Sequence, residues 1–326
     1  MAANTQRGFV LVVTLWILAV ITIAAAYFAE RVGRSIELAR QNQQTTEELI
    51  AFANTRADVL FRLGTTGVSL YGWGGQDAIA LDNRPYRGSG DDIVRLQDNR
   101  GLLNVNFPQQ DMISRLLGQL GVPIEKRGAM IDTLLDYIDT DDFKRLNGAE
   151  APEYAALGLP PPPNDWLASP YQLNNIIGWR DQPEILEKLL RFVTTSRVTG
   201  FNPNTAPPEV LASLPGASLE TAAALIKARN EKPFYTVGQL ASFTTGALDS
   251  DYFLFYPSNS LRITQQSKTL PWAIQYSVTL TPRSQDAPWR VDYYVKTPVP
   301  YPIENVDKIQ KLPARIPAPP SVGETP

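Results

Sequence analysis

The residues best suited to chemistry lie in one run, Leu135-Asp136-Tyr137-Ile138-Asp139-Thr140-Asp141-Asp142-Phe143-Lys144-Arg145-Leu146-Asn147-Gly148-Ala149-Glu150. Four aspartates at the end of an apolar stretch repel one another unless water or a cation screens them. Counted from Asp139, Asp141 is third, Asn147 ninth and Glu150 twelfth, which is part of a calcium-loop ligand spacing. Lys144 stands sixth, where an EF-hand needs glycine, and Phe143 stands fifth, so the run is not an EF-hand. Asp139, Asp141, Asp142 and Glu150 could still offer hard oxygens to Ca²⁺ from a single loop. The competing reading is a helix end followed by a solvated acidic turn. A glycosidase-type carboxylate pair is a third reading, and nothing else in the chain marks a sugar cleft.

What the sequence lacks narrows the chemistry further. It has no cysteine and no histidine, which excludes disulfides, the usual zinc sets, Ser-His-Asp and Cys-His nucleophiles and imidazole acid–base catalysis. Carboxylates, lysines, tyrosines and hydroxyls remain, and the expectation is a protein that is not an enzyme. The net charge of −3 gives no general attraction for nucleic acid or anionic lipid.

The element that must carry everything downstream is the uncharged stretch Phe9 to Ala29, preceded by Arg7. About 20 residues at 1.5 Å each cross a bilayer core. Tyr27, Phe28 and Glu30 make a poor secretory cleavage site, and Arg7 argues for a cytoplasmic N-terminus. Beyond the membrane stretch, Val32, Ile36, Ala39, Ile50, Ala53, Ala57 and Leu60 keep a helical spacing, and no proline interrupts residues 9–63. One helix over 9–63 is expected, membrane-spanning over 9–29, amphipathic afterwards and stopped at Gly64.

Short β-type runs follow at Ser69–Trp73, Ala78–Leu81 and Asp92–Gln97. The clearest alternation comes late, in Leu261–Gln266, Trp272–Leu280 and Trp289–Lys296, the last two forming a hairpin. One sheet domain is therefore expected from 64–100 together with 244–297. The Pro-rich residues 298–326 read as an extended or disordered tail.

Residues 101–243 read as a helical insertion containing an internal repeat. Gly-Leu-Leu-Asn-Val-Asn (101–106) resembles Gly-Phe-Asn-Pro-Asn (200–204), and the hairpin Leu120-Gly121 resembles Leu214-Pro215-Gly216. Leu167-Ala168-Ser169-Pro170-Tyr171-Gln172-Leu173 likewise matches Tyr235-Thr236-Val237-Gly238-Gln239-Leu240. This is the shape of two helix-hairpin-helix units, which elsewhere present backbone N–H groups to DNA phosphates. Here Glu125 and Glu220 sit at the hairpin N-termini instead of lysine or arginine. A membrane-anchored nucleic-acid binder is the alternative function, and no nucleic acid is expected in the preferred one.

Two signatures together carry a family resemblance. Arg7-Gly8 before Phe9 and an apolar helix is similar to the leader of type IV pilin-like proteins. The Leu-Leu-Asp-Tyr-Ile-Asp-Thr-Asp-Asp and Gly-Ala-Glu segments, the prolines before Asn164, Leu-Ala-Ser-Pro-Tyr-Gln-Leu and Asn-Pro-Asn-Thr-Ala-Pro resemble minor pseudopilin K of the type II secretion system. The resemblance covers nearly the whole chain except the tail. It implies an α+β, pilin-like fold in which the long N-terminal helix packs on an antiparallel sheet. It also implies that residues 1–8 are a leader cut by prepilin peptidase between Gly8 and Phe9, with N-methylation of Phe9. Val13 then stands where most pilins carry glutamate, which agrees with a tip position. The implied role is a cap on the tip of the periplasmic pseudopilus that initiates or controls its assembly for export of folded exoproteins. Implied partners are pseudopilins I and J (H also a candidate), the major pseudopilin and the inner-membrane assembly platform. The implied location is the bacterial inner membrane, single-pass, with a periplasmic C-terminal domain. Family members with calcium in this domain add weight to a calcium loop.

Overall fold

The structure, a computed structural model, describes residues 7–74, 78–90, 92–302 and 306–313. It divides into two units, residues 1–51 and 52–326. The first is the N-terminal part of helix α1, which runs without a break over Arg7–Thr65. This helix is long and apolar enough to cross a membrane. Leader residues 1–6 lie outside the described residues.

In the second unit the end of α1 meets a sheet. Two short strands, β1 (Val68–Ser69) and β2 (Gly72–Trp73), make a small hairpin. Then come β3 (Asp82–Arg87), β4 (Ile93–Asp98), and the two-residue β5 (Leu103–Asn104) that enters the insertion. The insertion contains α2 (Gln110–Gln119), α3 (Ile124–Ile138), α4 (Ala151–Ala156) and α5 (Pro183–Leu189). Strand β6 (Val193–Thr194) pairs in parallel with β5, and α6 (Pro208–Leu211), α7 (Leu219–Glu231) and α8 (Val237–Ala241) complete it. The chain returns through β7 (Ser260–Gln266), β8 (Trp272–Leu280) and β9 (Trp289–Pro298), giving an antiparallel five-stranded sheet of order β3-β4-β7-β8-β9.

The two sheet faces are unlike. Val94, Leu96, Leu261, Ile263, Ile274, Tyr276, Val278 and Leu280 form one core with Phe52, Val59, Leu60 and Leu63 of α1. The alternate positions carry Gln97, Arg262, Thr264, Gln275 and Ser277, and these are buried too. Residues this polar are buried only with partners, and for Gln97, Gln275 and Arg262 the insertion supplies them. Gln97 Nε2 donates to the Thr205 carbonyl at 2.9 Å, and Tyr171 Oη donates to Gln275 Oε1 at 3.1 Å. Arg262 donates to the carbonyls of Leu190, Val193 and Arg191 at the end of α5. The insertion has its own apolar core, built from Leu116, Leu134, Trp179, Phe201, Leu214 and Leu225 among others. The molecule thus has two cores joined by a hydrogen-bonded seam.

Asp98 ends β4 at that seam. Its Oδ1 accepts from the Ser258 N–H at 3.0 Å, Ser258 Oγ at 2.7 Å and the Arg100 N–H at 3.1 Å. Its Oδ2 accepts from Asn202 Nδ2 at 3.0 Å and Thr205 Oγ1 at 2.9 Å. One carboxylate therefore gathers the start of the insertion, its second half and the return to the sheet.

The repeat holds in atomic detail. Asn104 Oδ1 accepts the Asn106 N–H as Asn202 Oδ1 accepts the Asn204 N–H, each at 3.0 Å. Asn106 clamps the Leu167 N–H and carbonyl and the Thr195 carbonyl. Asn204 does the same to Phe234 and the Phe255 carbonyl. Gln172 and Gln239 close matching turns. Both hairpins turn on a left-handed glycine, Gly121 at φ 96° and Gly216 at φ 71°. Corresponding residues are offset by 95 at the hairpins but by 67 at the glutamines, so the first unit carries about 28 extra residues, and these include the acidic run.

Four sequence expectations need correction. Ser69–Trp73 is not one strand but the β1–β2 hairpin, turned between Ser69 and Gly72. Ala78–Leu81 is not a strand but one bridge from Ile79 to Trp73; the strand is β3, whose Pro85 and Asp-Asn start mimic a turn. Proline is tolerated there because β3 is an edge strand. Residues 244–257, assigned above to the sheet domain, pack with the insertion, since Phe253 sits in its core and Leu248, Tyr252 and Phe255 lie against it. The segment 306–313, assigned to a disordered tail, is placed along β3. Lys311 bridges Arg87 in parallel, Ile309 covers Ile93, and Arg62 donates to the Pro313 carbonyl. Residues 303–305 and 314–326 of that tail lie outside the described residues.

Candidate functional site

The acidic run leaves α3 at Asp139, the residue at which its helical bonding ends. Leu134, Tyr137 and Ile138 are buried, which fixes the helix rotation and turns Asp136 inward, where it is also buried. The loop folds back so that Asn147 donates its N–H and Nδ2 to Asp132 Oδ2 at 3.1 and 3.2 Å. Gly148 passes so close to Asp136 that an added Cβ would lie 1.8 Å from Oδ2. That close approach brings Glu150, immediately before α4, into the same hollow.

Glu150 is 3% exposed, and neither carboxylate oxygen makes a hydrogen bond. Burial, with Asp136, Asp139, Asp142 and Asp141 nearby, pushes its pKa up to about 7. Asp139 Oδ1 and Asn164 Oδ1 are also buried without partners. These orphaned groups are all acceptors, which is the donor set a hard cation requires. Asn164 arrives at the end of Pro160–Pro163, at φ 49°, and donates Nδ2 to the Asp141 carbonyl at 3.0 Å and Asp142 Oδ1 at 2.9 Å. Asp141 accepts the Phe143 N–H at 2.9 Å in a tight turn.

Among the described residues no three acidic side chains are drawn together as a ready-made metal site. Positive charge from within the chain already occupies part of the hollow. Arg145 Nη1 donates to Asp136 Oδ1 at 2.7 Å and Asp139 Oδ2 at 2.5 Å. The sequence singled out Asp139, Asp141, Asp142 and Glu150; all four lie on this loop, Glu150 buried, Asp139 half-buried, and Asp141 and Asp142 exposed. The structure adds Asp136, hidden in the helical run, and Asn164, whose sequence signal is the proline run that delivers it.

The hairpins offer phosphate little. Glu125 and Glu220 are exposed at the starts of α3 and α7. The Gly216 turn is covered, since an added Cβ there would meet Thr245 and Gly246. At the other end of the chain, Phe9 and Val13 are exposed on the first turns of α1, and Gly8 belongs to the same helix.

A long N-terminal helix on an antiparallel sheet, with a helical insertion between strands, defines a pilin-like α+β protein. Models of the family described as type II secretion system protein K match residues 92–197 and 201–251. A solved structure described as the GspK-GspI-GspJ complex from enterotoxigenic Escherichia coli contains a chain of the same fold. The two are 17% identical with a TM-score of 0.56, over 80% of this chain and 99% of that one. These matches, with the shared pilin-like fold, support a minor pseudopilin of the K type. No curated protein matches the sequence.

Proposed function

We propose that the protein caps the tip of the periplasmic pseudopilus and starts or controls its assembly, with no catalytic role. The observation that carries this reading is Val13, in a helix with no carboxylate between Phe9 and Ala29. A filament subunit needs an acid at that position to meet its neighbour's amine, whereas the first subunit has nothing ahead of it, and a lone carboxylate in hydrocarbon is costly. The added mass of the insertion suits a cap better than a repeating subunit. Prepilin peptidase would cut between Gly8 and Phe9 and methylate Phe9, with the head outside the inner membrane. Pseudopilins I and J, which accompany the related Escherichia coli chain, are the proposed neighbours. Co-expression with both, detergent extraction and purification through this chain should yield a ternary complex with N-methyl-Phe9 at its terminus. A solitary chain with intact Met1 would refute the assignment.

Calcium is the proposed ligand of the acidic loop, held by Asp139, Asp141, Asp142 and Glu150 with Asn164 Oδ1 as a further donor. Its four orphaned acceptor oxygens support this. Bound there, the ion would neutralise the carboxylates and tie α3, the loop and the proline run together. Calcium should raise the thermal midpoint of the full chain, and Asp139→Ala with Glu150→Ala should abolish the rise.

A further inference from the structure

We infer that Arg145 is a built-in occupant of the acidic hollow, and that a divalent cation and the Arg145 guanidinium exchange for one another. The inference rests on the calcium reading above and concerns what that ion must displace.

The guanidinium holds one oxygen of Asp136 and one of Asp139, while the Arg145 N–H reaches both oxygens of Asp136 at 3.2 and 3.3 Å. The backbone contact fixes the loop whether or not the side chain stays. Asp136 is fully buried, so some positive charge must face it. The arginine side chain is 37% exposed and can leave toward water without breaking a packed core. Its sequence neighbours do not hold it down, since Phe143 is 83% exposed and Leu146 92%. Lys144 is engaged elsewhere, on Glu153 Oε1 at 2.7 Å. The unpartnered oxygens belong to Asp139, which Arg145 itself holds, and to Glu150, which lies near Asp136 and Asp139. A dication drawn to them meets a like charge at Asp139, and the two cannot be held there at full strength together.

This arrangement explains why the loop is acceptor-rich yet not closed around a metal site. Without metal, Arg145 keeps Asp136 and Asp139 from repelling each other. When the cation binds, the arginine is released and the acidic residues become available as a set. Calcium affinity is then set partly by the guanidinium, and removing it should tighten binding while weakening the metal-free protein.

The test is calcium titration of the full chain in detergent by calorimetry, with thermal midpoints in chelator and in calcium. Arg145→Gln should lower the midpoint in chelator, gain more from calcium than the wild type, and bind calcium roughly tenfold or more tightly. Arg145→Lys keeps the charge but cannot bridge two carboxylates, and should fall between them. If Arg145→Gln fails to fold even with calcium, the lysine variant decides: tighter binding than wild type supports the exchange, and equal or weaker binding overturns it. Wild type that binds calcium no less tightly than Arg145→Gln refutes the exchange but leaves the cation site standing. Absence of binding by wild type and both variants overturns the cation site itself. Binding by the variants alone supports an arginine that outcompetes the ion.

Discussion

Asp98→Ala should be among the most damaging single substitutions in the chain, although Asp98 lies outside both apolar cores. The carboxylate accepts five hydrogen bonds between 2.7 and 3.1 Å in a fully buried position. Two of the donors have other outlets, since Ser258 Oγ also reaches the Ser260 carbonyl and Thr205 Oγ1 the Asn202 carbonyl. Ser258 and Asn202 are buried, and the Ser258 N–H and Asn202 Nδ2 make no hydrogen bond except to Asp98. Each stranded donor costs about 1–3 kcal/mol, and bonds to a charged acceptor sit at the upper end of that range. With the Arg100 N–H, a loss of roughly 4–6 kcal/mol follows, a large part of a typical folding free energy. Asp98→Asn keeps one acceptor oxygen but sets an amide NH₂ against Asn202, so about 2–3 kcal/mol is expected. Urea unfolding of the full chain in detergent, followed by tryptophan fluorescence, measures both. A loss below about 1 kcal/mol for the alanine variant would show that the seam is not held through this carboxylate.

Two further predictions concern buried charge. Glu150 has a folded pKa near 7, above its ordinary value of 4.5, so the folded state holds a proton that the unfolded state releases. In chelator, stability should therefore be highest below about pH 4.5 as far as this group is concerned, and decline as pH rises toward 7. Glu150→Gln should remove that slope in thermal melts taken across the range. Arg262→Met should cost about 2–4 kcal/mol, because three carbonyls around the end of α5 lose their donor. Arg262→Lys should recover little of it in urea unfolding, since one ammonium cannot span all three.

The sequence made one half of the sheet legible and concealed the other. Alternation in Trp272–Leu280 placed Ile274, Tyr276, Val278 and Leu280 on one face, and that face is the core. The intervening Gln275 and Ser277 look solvent-facing by the same rule, yet both are buried, Gln275 under Tyr171 of the insertion and Ser277 beside Asn99 and Asp292. Periodicity reports polarity, and a polar residue buried with partners has the same pattern as one facing water. The 244 boundary differs for a related reason: Tyr252 and Phe253 carry no helical or strand period, but Tyr252 stacks on Phe201 of the insertion core and Phe253 meets it edge-on. At the site, the ligand-like spacing from Asp139 to Glu150 was visible in a linear reading. Asn164 was not, because it comes from beyond α4 and joins the loop only through its hydrogen bonds to Asp141 and Asp142.

The duplicated asparagine clamp separates what the insertion needs in order to fold from what it adds. Asn106 and Asn204 each make three hydrogen bonds to the segment that closes their own unit, with nearly the same distances. If the units are equivalent, Asn106→Ala and Asn204→Ala should each cost about 3 kcal/mol and agree within about 1 kcal/mol in urea unfolding. A neutral result at one position and a large loss at the other would mean that only one unit depends on its clamp. The second unit closes from α7 to Phe234 across only Lys232 and Pro233. A unit of this kind therefore needs no acidic loop to close. The extra residues of the first unit are integrated, since Tyr154 is buried in the core and its hydroxyl accepts the Ile177 N–H. Yet core packing does not account for the unpartnered oxygens of Glu150, Asp139 and Asn164, whose burial costs stability. Core packing gives no reason for that cluster, and its place in one unit and not the other fits the cation proposed above.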